Sequence, residues 1–173
     1  MSQEKPKVSF ITPCYNDGNS IERFVDSVLD QDFQDFEIII VNDGSTDGSK
    51  EVLNSIKTKD KRIKVIHLKE NQGACVARNT GAKVAKGEIY SFLPADSFLY
   101  PGVLRTWVDQ LDEYQDYDFI YGGYRVTDEE FNVVPNGDYV FNSFDPYLLE
   151  TTNYIDGCFP IRAKAFWDVD ELM

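Results

Sequence analysis

The feature that most constrains this chain is an alternation of hydrophobic period between Val8 and Leu111. Val8–Thr12 is a short β-branched and aromatic run, and Pro13–Gly18 breaks it. Ile21, Phe24, Val25, Val28 and Leu29 then recur at the spacing of one helix face, with Asn19 or Ser20 placed to cap its start. Phe36–Val41 is a continuous apolar run, as expected of a strand buried on both faces. After the turn-rich stretch Asn42–Gly48, Val52, Leu53 and Ile56 mark a shorter helix. Ile63–Leu68 reads as a third strand, Ala74–Lys86 as an alanine-rich helix and Glu88–Leu93 as a fourth strand. Pro101 opens another helix, with Val103, Leu104, Trp107, Val108 and Leu111 as its apolar positions. The order is βαβαβαβα. Crossover helices between apolar strands impose right-handed connections, so the expectation is an α/β fold: a mostly parallel central sheet with helices on both faces.

The rest of the chain has a weaker pattern and reads as a smaller mixed β and irregular C-terminal part. Phe119–Tyr121 suggests a strand. Tyr124–Thr127 and Phe131–Val134 flank Asp128-Glu129-Glu130 as a hairpin would, and Asn136-Gly137 is a second turn signal. Ala163–Trp167 fits one or two helical turns. A length of 173 residues suits a single domain.

Charge and cysteine usage narrow the function classes. The net charge is −13, and it is unevenly spread: residues 1–86 hold 13 basic and 13 acidic side chains, residues 87–173 hold 4 and 17. A nucleic-acid partner needs a basic face, which this chain lacks. No apolar run is long enough to span a bilayer, and Met1–Lys7 has no apolar core of the kind a signal peptide needs. Cys14, Cys75 and Cys158 are widely spaced and odd in number, which fits a reducing, cytoplasmic compartment, the inner face of a membrane included.

In an open parallel sheet, ligands bind beyond the carboxyl ends of the strands. Those ends carry Pro13-Cys14-Tyr15-Asn16-Asp17, Asn42-Asp43-Gly44-Ser45-Thr46-Asp47, Asn71-Gln72-Gly73 and Pro94-Ala95-Asp96-Ser97. Four polar ends together point to a polar ligand. The first strand is not followed by G-x-G-x-x-G, and the phosphate-cradling G-x-x-x-x-G-K-[ST] and the G-x-S-x-G elbow are missing from the sequence. His67 is the one histidine and has no Cys or His cluster around it, so zinc is not indicated and a structural role is expected. Cys14, with no basic neighbour in sequence, reads as a small buried residue. Carboxylates and backbone amides remain, and they suit a hard cation bridging phosphate oxygens.

Four segments in register, Val8–Asn16 (VSFITPCYN), Phe36–Asp47 (FEIIIVNDGSTD), Asn71–Gly81 (NQGACVARNTG) and Gly87–Gly102 (GEIYSFLPADSFLYPG), resemble the family 2 glycosyltransferases of the Rossmann-like GT-A fold over residues 6–125. The resemblance implies a nucleotide-diphospho-sugar donor, a UDP-sugar in the commonest case, lying over the strand ends. It implies that Pro13 and Tyr15 flank base and ribose, that Asp43 accepts a hydrogen bond from the base, and that Gly73, Arg78 and Asn79 line the pyrophosphate and sugar. Asn16, Gly44 and Ala95 fall in the same nucleotide-sugar-binding motifs. Asp96 matches the last position of the D-x-D motif that holds Mn²⁺ or Mg²⁺ on the diphosphate. The other partner is a hydroxyl acceptor: a glycan, a lipid-linked sugar or a protein.

Two departures from the family pattern stand out. Asn42 replaces the first Asp of D-D-G-S, and Pro94 stands where D-x-D begins. Asp168–Leu172 (DVDEL) resembles the stretch preceding the family's general-base segment. By that resemblance the general base is expected beyond Met173. A C-terminally truncated GT-A domain is therefore expected, with residues 1–100 as its nucleotide-sugar half and 101–173 as an incomplete acceptor side. Asp156 and Asp170 are then substitute candidates for the base. The rival readings are a domain that binds donor without turnover, a sugar nucleotidyltransferase, and a non-catalytic interaction module. PCYNDGNS carries no Arg or Lys to hold a triphosphate, which disfavours the second. Taken singly, Asp43-Gly44 is an ordinary turn, Asp96 a solvated loop acid and Arg78 a surface helix charge; their joint register gives them the sharper reading.

Overall fold

The computed structural model describes residues 5–128, 130, 132–139 and 159–169. The elements are β1 (Val8–Cys14), α1 (Gly18–Leu29), β2 (Phe36–Asn42), α2 (Ser49–Ile56), β3 (Ile63–His67), α3 (Ala74–Ala82), β4 (Ile89–Ser91), α4 (Val103–Glu113), β5 (Tyr124–Thr127), β6 (Val133–Tyr139), β7 (Ile161–Arg162) and α5 (Ala163–Asp168). The main sheet has the order β3-β2-β1-β4-β7, parallel throughout except for β7, which runs antiparallel to β4. β5 and β6 form a separate antiparallel pair. The expected α/β architecture is therefore present.

Side-chain alternation on the two central strands builds two cores. Val8 and Phe10 of β1 with Phe36, Ile38 and Ile40 of β2 point to one face, where α1, α2 and α4 cover them through Ile21, Phe24, Leu53, Ile56, Leu104 and Leu111. Ile39, Val41 and Ile11 point to the other, met by Ala77 and Ala82 of α3 and Phe166 of α5. β2 is buried along its whole length, as its unbroken apolar run requires. β3 is only partly buried, in keeping with its place at the sheet edge.

Among the described residues, Glu37 is the one charged side chain buried within these strands, and it is well supplied with donors. Its carboxylate accepts from Ser9 Oγ at 2.7 Å, from the Lys86 N–H at 2.6 Å and from Lys64 Nζ at 2.6 Å. Ser9 Oγ in turn accepts the Gly87 N–H at 2.9 Å. This network lies at the end of the sheet where β1 and β2 begin. It also explains a difference from the expected helix. The chain leaves α3 at Ala82, short of Lys86, because residues 86 and 87 give their amides to Glu37 and Ser9.

Other differences have equally local causes. α1 starts one residue before Asn19, and neither Asn19 nor Ser20 caps it: Asp17 holds that position, its carbonyl accepting from the Ser20 and Ile21 amides. The Asp128 turn forms as expected, the Asp128 carboxylate accepting from the Glu130 and Asn132 N–H groups. Asn136-Gly137 is not a turn. It lies inside β6, where Asn136 takes φ 61° and the ladder to β5 is irregular, its register shifting between Arg125 and Thr127. Phe119–Tyr121 makes no strand of its own, only one bridge from Phe119 to Ile161.

Glu37 yields a test with a defined sign. Burial pushes its carboxyl up, but the bonds from Lys64, Ser9 and Lys86 outweigh this and hold it below the ordinary glutamate value. Its stabilisation is therefore complete above the unfolded value of about 4.3 and is lost as pH falls through the depressed folded value. Glu37→Gln should lower the unfolding free energy by about 2 kcal/mol at pH 7 and flatten the acid limb below pH ~4, measured by urea denaturation across pH.

Candidate functional site

The carboxyl ends of β1, β2 and β4 open into a cleft of about 320 Å³ lined by Pro13, Tyr15, Asp17, Asp43, Asn71, Gly73, Ala74, Arg78, Pro94, Ala95 and Asp96. Of the residues expected to bind the nucleotide sugar, Pro13, Tyr15, Asp43, Gly73, Arg78, Ala95 and Asp96 meet there. Tyr15 keeps 43% of its surface exposed although it is large and aromatic, so a flat ring is offered beside the cleft.

Asp43 organises the cleft. It is 2% exposed, and both carboxylate oxygens accept backbone N–H groups, from Gln72 at 2.8 Å and Gly73 at 2.9 Å. Gly73 is the N-cap of α3 with φ 92°, so the Asp43 charge also faces the positive end of that helix. The residue thus fixes the loop that brings Gly73, Ala74 and Arg78 to the site. Next to it, Gly44 takes φ +67°, and a Cβ there would overlap the Glu70 backbone. The two loops meet too closely for any other residue.

Three of the expected residues do not line the cleft. Gly44 serves the close approach just described. Asn16, at φ 57°, latches the β1 and β2 loops together: its Oδ1 accepts the Thr46 N–H at 2.9 Å and its own N–H donates to Ser45 Oγ at 3.0 Å. Asn79 is 9% exposed within α3, on the buried side of that helix. Of the candidates for the general base, Asp156 and Asp170 lie outside the described residues. So does Met173, and with it the position past that residue where the base is expected.

Asn42 and His67 account for each other. Asn42 Oδ1 accepts the Ser45 N–H at 3.0 Å, which leaves its amide to donate to His67 Nδ1, 3.0 Å away. His67 Nε2 then donates to Asn54 Oδ1 at 3.2 Å. Burial, with Lys50 and Lys57 nearby, holds the imidazole below its ordinary value, which keeps it neutral. An Asp at position 42 could not donate to that nitrogen. Cys14 is 1% exposed, and burial pushes its thiol up to about 11, so it is no nucleophile.

Asp17, like Asn71, Ala74 and Pro94, lines the cleft although the sequence patterns did not single it out, and it is the one carboxylate among them. Burial raises its carboxyl above the ordinary aspartate value, and the charges of Asp96 and Asp47 add to the effect. Nothing in the β1 end marks Asp17 apart from its sequence neighbours; only the folded loop brings it to Asp96. Among the described residues no three His, Cys, Asp or Glu side chains converge. The donor set that remains is carboxylate oxygen, and it fits a hard divalent cation that completes its shell with phosphate oxygens and water.

Asp96 also borders a second, larger cavity of about 1240 Å³, bounded by the loop after β4, by α4 and by the β5–β6 pair. Phe98, Tyr100, Trp107, Tyr124 and Tyr139 lie along it. The two cavities share Pro94 and Asp96.

Comparison with known proteins agrees with this fold. Residues 9–170 match the model of the family described as glycosyl transferase family 2. The chain is 36% identical over 122 residues to glycosyltransferase GlyG of Streptococcus pneumoniae serotype 4, covering 70% of this chain and 40% of GlyG. It is 48% identical over 96 residues to the putative teichuronic acid biosynthesis glycosyltransferase TuaG of Bacillus subtilis, covering 56% of this chain and 38% of TuaG. The crystal structure of S. aureus TarS 1-349 in complex with UDP superposes with a TM-score of 0.75 at 26% identity, over 95% of this chain and 49% of the TarS chain. The chain spans less than half the length of each of these relatives. The sheet order, the helices on both faces and a match that runs nearly end to end agree on one assignment: this chain belongs to glycosyl transferase family 2 and has the GT-A fold.

Proposed function

We propose that this chain forms the donor-binding part of a glycosyltransferase that moves a sugar from a nucleoside diphosphate, a UDP-sugar, to a hydroxyl acceptor in polysaccharide or glycoconjugate synthesis. The observation that carries this reading is the convergence of Tyr15, Asp43, Arg78 and Asp96 on one cleft beyond the strand ends. TarS, which shares the fold at 26% identity, was crystallised with UDP, and TuaG is named for teichuronic acid synthesis.

In this reading the exposed Tyr15 ring and Pro13 take the base. Asp43 holds the Gln72-Gly73 turn through one amide on each oxygen, and the second lone pair of an oxygen is offered to the base N–H. Arg78, projecting from α3, faces the diphosphate. Asp96 and Asp17 would hold the divalent cation, Mn²⁺ or Mg²⁺. Bound there, the cation would neutralise the diphosphate as it leaves. The acceptor approaches through the larger cavity, which meets the cleft at Asp96. The reading places the protein in the cytoplasm; among the described residues, no helix is long and apolar enough to cross a membrane.

Thermal denaturation with and without nucleotide tests the proposal. UDP with Mn²⁺ at a hundredfold excess over its Kd should stabilise by about 2.7 kcal/mol, a Tm rise of roughly 5–10 °C for a chain of this size. A panel of UDP-, GDP- and dTDP-sugars then ranks the donor. If no nucleotide shifts Tm at any metal concentration, the reading fails. Stabilisation without donor hydrolysis or transfer would identify a domain that binds and does not turn over.

Two substitutions separate the roles. Asp96→Ala should remove the Mn²⁺ dependence of UDP binding and leave the Tm of the free protein within a degree or two, because Asp96 is exposed. Asp43→Ala should do both kinds of damage. It strands the Gln72 N–H and leaves the Gly73 N–H only Asn71 Oδ1, 3.1 Å away, so stability should fall by about 2 kcal/mol and UDP affinity by about tenfold, read by urea denaturation and calorimetry.

A further inference from the structure

The loop between β4 and α4 carries Asp96 yet does little to hold itself in place. Outside the helices and strands, the backbone bonds made among residues 92–103 are Ser97 N–H to Pro94 O at 3.2 Å and Val103 N–H to Tyr100 O at 3.3 Å. The Arg125 guanidinium lies 6.0 Å from the Tyr100 ring centre, and further anchors come from one edge of α1 and from Gln31, two residues past its end, at a spacing of four. Arg23 Nη2 donates to the Asp96 carbonyl at 3.5 Å, and its guanidinium lies 5.9 Å from the Phe98 ring centre. Ser27 Oγ accepts the Leu99 N–H at 3.0 Å while donating to the Phe24 carbonyl at 2.7 Å. Gln31 Nε2 donates to the Tyr100 carbonyl at 3.0 Å and to the Ser27 carbonyl at 3.1 Å, and its Oε1 accepts the Leu104 N–H at 3.1 Å.

Gln31 is 3% exposed, and a buried primary amide is costly unless its groups are paired. Here the side chain satisfies a loop carbonyl and one of the orphan amides in the first turn of α4 at once. An apolar residue of the same size would fill the space equally well. What the amide adds is a fixed path for the loop between the two cavities.

From this arrangement we propose that Arg23, Ser27 and Gln31 are positioning residues that set Asp96 at the junction of the two cavities, so that one edge of α1 and the turn after it govern cation affinity from a distance. The proposal rests on the reading of Asp96 as the cation-holding residue. The mechanism is geometric. A carboxylate on a loop free to sample several paths loses conformational entropy each time it binds. A loop tied at Asp96, Leu99, Tyr100 and Leu104 has lost that freedom before the cation arrives.

The test uses the full chain with Ser27→Ala and Gln31→Met, the second isosteric and apolar so that packing is kept. UDP binding is titrated against Mn²⁺ concentration and repeated in EDTA, urea denaturation reports global stability, and hydrogen exchange reports the loop. Each variant should raise the half-saturating Mn²⁺ concentration three- to tenfold. Metal-free UDP binding should change less than twofold, and exchange should quicken in residues 94–100 while peptides from β1 and β2 keep their protection. A lower urea midpoint with unchanged Mn²⁺ titration and unchanged loop exchange would overturn the proposal and leave these residues as ordinary packing. Asp96→Ala serves as the reference. If that variant keeps its Mn²⁺ dependence, the assignment of Asp96 is at fault; quickened loop exchange in the Ser27 and Gln31 variants would then still establish the tether.

Discussion

Strand β2 has no face that water can reach, and much of the molecule is arranged around that fact. Seven consecutive buried residues, Phe36–Asn42, need a neighbour on each edge and a layer on each side. β1 and β3 supply the edges. α1, α2 and α4 cover one side, and α3 with α5 covers the other. The two polar ends of the strand are where the fold meets chemistry of different kinds. Near the start, Glu37 is neutralised and tied by Ser9, Lys64 and Lys86. Just past the end, the Asp43 carboxylate is tied to backbone amides and remains beside an open cleft. One carboxylate lies closed within the sheet, while the other lines a cleft.

Much of this was legible in the sequence, for a physical reason. Buried strands and amphipathic helices write their period directly into the apolar positions, so β1 to α4 follow from Val8–Thr12, Ile21–Leu29, Phe36–Val41 and their successors with shifts of a few residues. Seven of the ten residues expected to bind the nucleotide sugar line one cleft for a similar reason: in a parallel sheet, position after a strand is position in space.

What was not legible depends on contacts between distant segments. Asn16 and Gly44 fall in segments expected to bind the donor but hold loops together, a role that only the facing Ser45, Thr46 and Glu70 reveal. Asp17 becomes a site residue because the loop after β1 comes near Asp96. The end of α3 is set by Glu37, nearly fifty positions earlier in the chain. Asn136-Gly137 has the composition of a tight turn, yet the Asp128 carboxylate has already closed the hairpin, so the pair is left to absorb a register slip.

The antiparallel strand β7 has a consequence for how the chain is made. β4 is three residues long, and its outer edge is covered by Ile161 and Arg162, which leave the ribosome long after it. Until they arrive, a nascent chain presents an uncapped parallel sheet whose hydrophobic neighbours Tyr90 and Phe92 still lack Phe166. Synthesis therefore passes through a stage at which the loops around the cleft can be complete while the sheet remains open to another chain. Two residues at a sheet margin, almost silent in the hydrophobic pattern, close the edge along which the unfinished protein could join its copies.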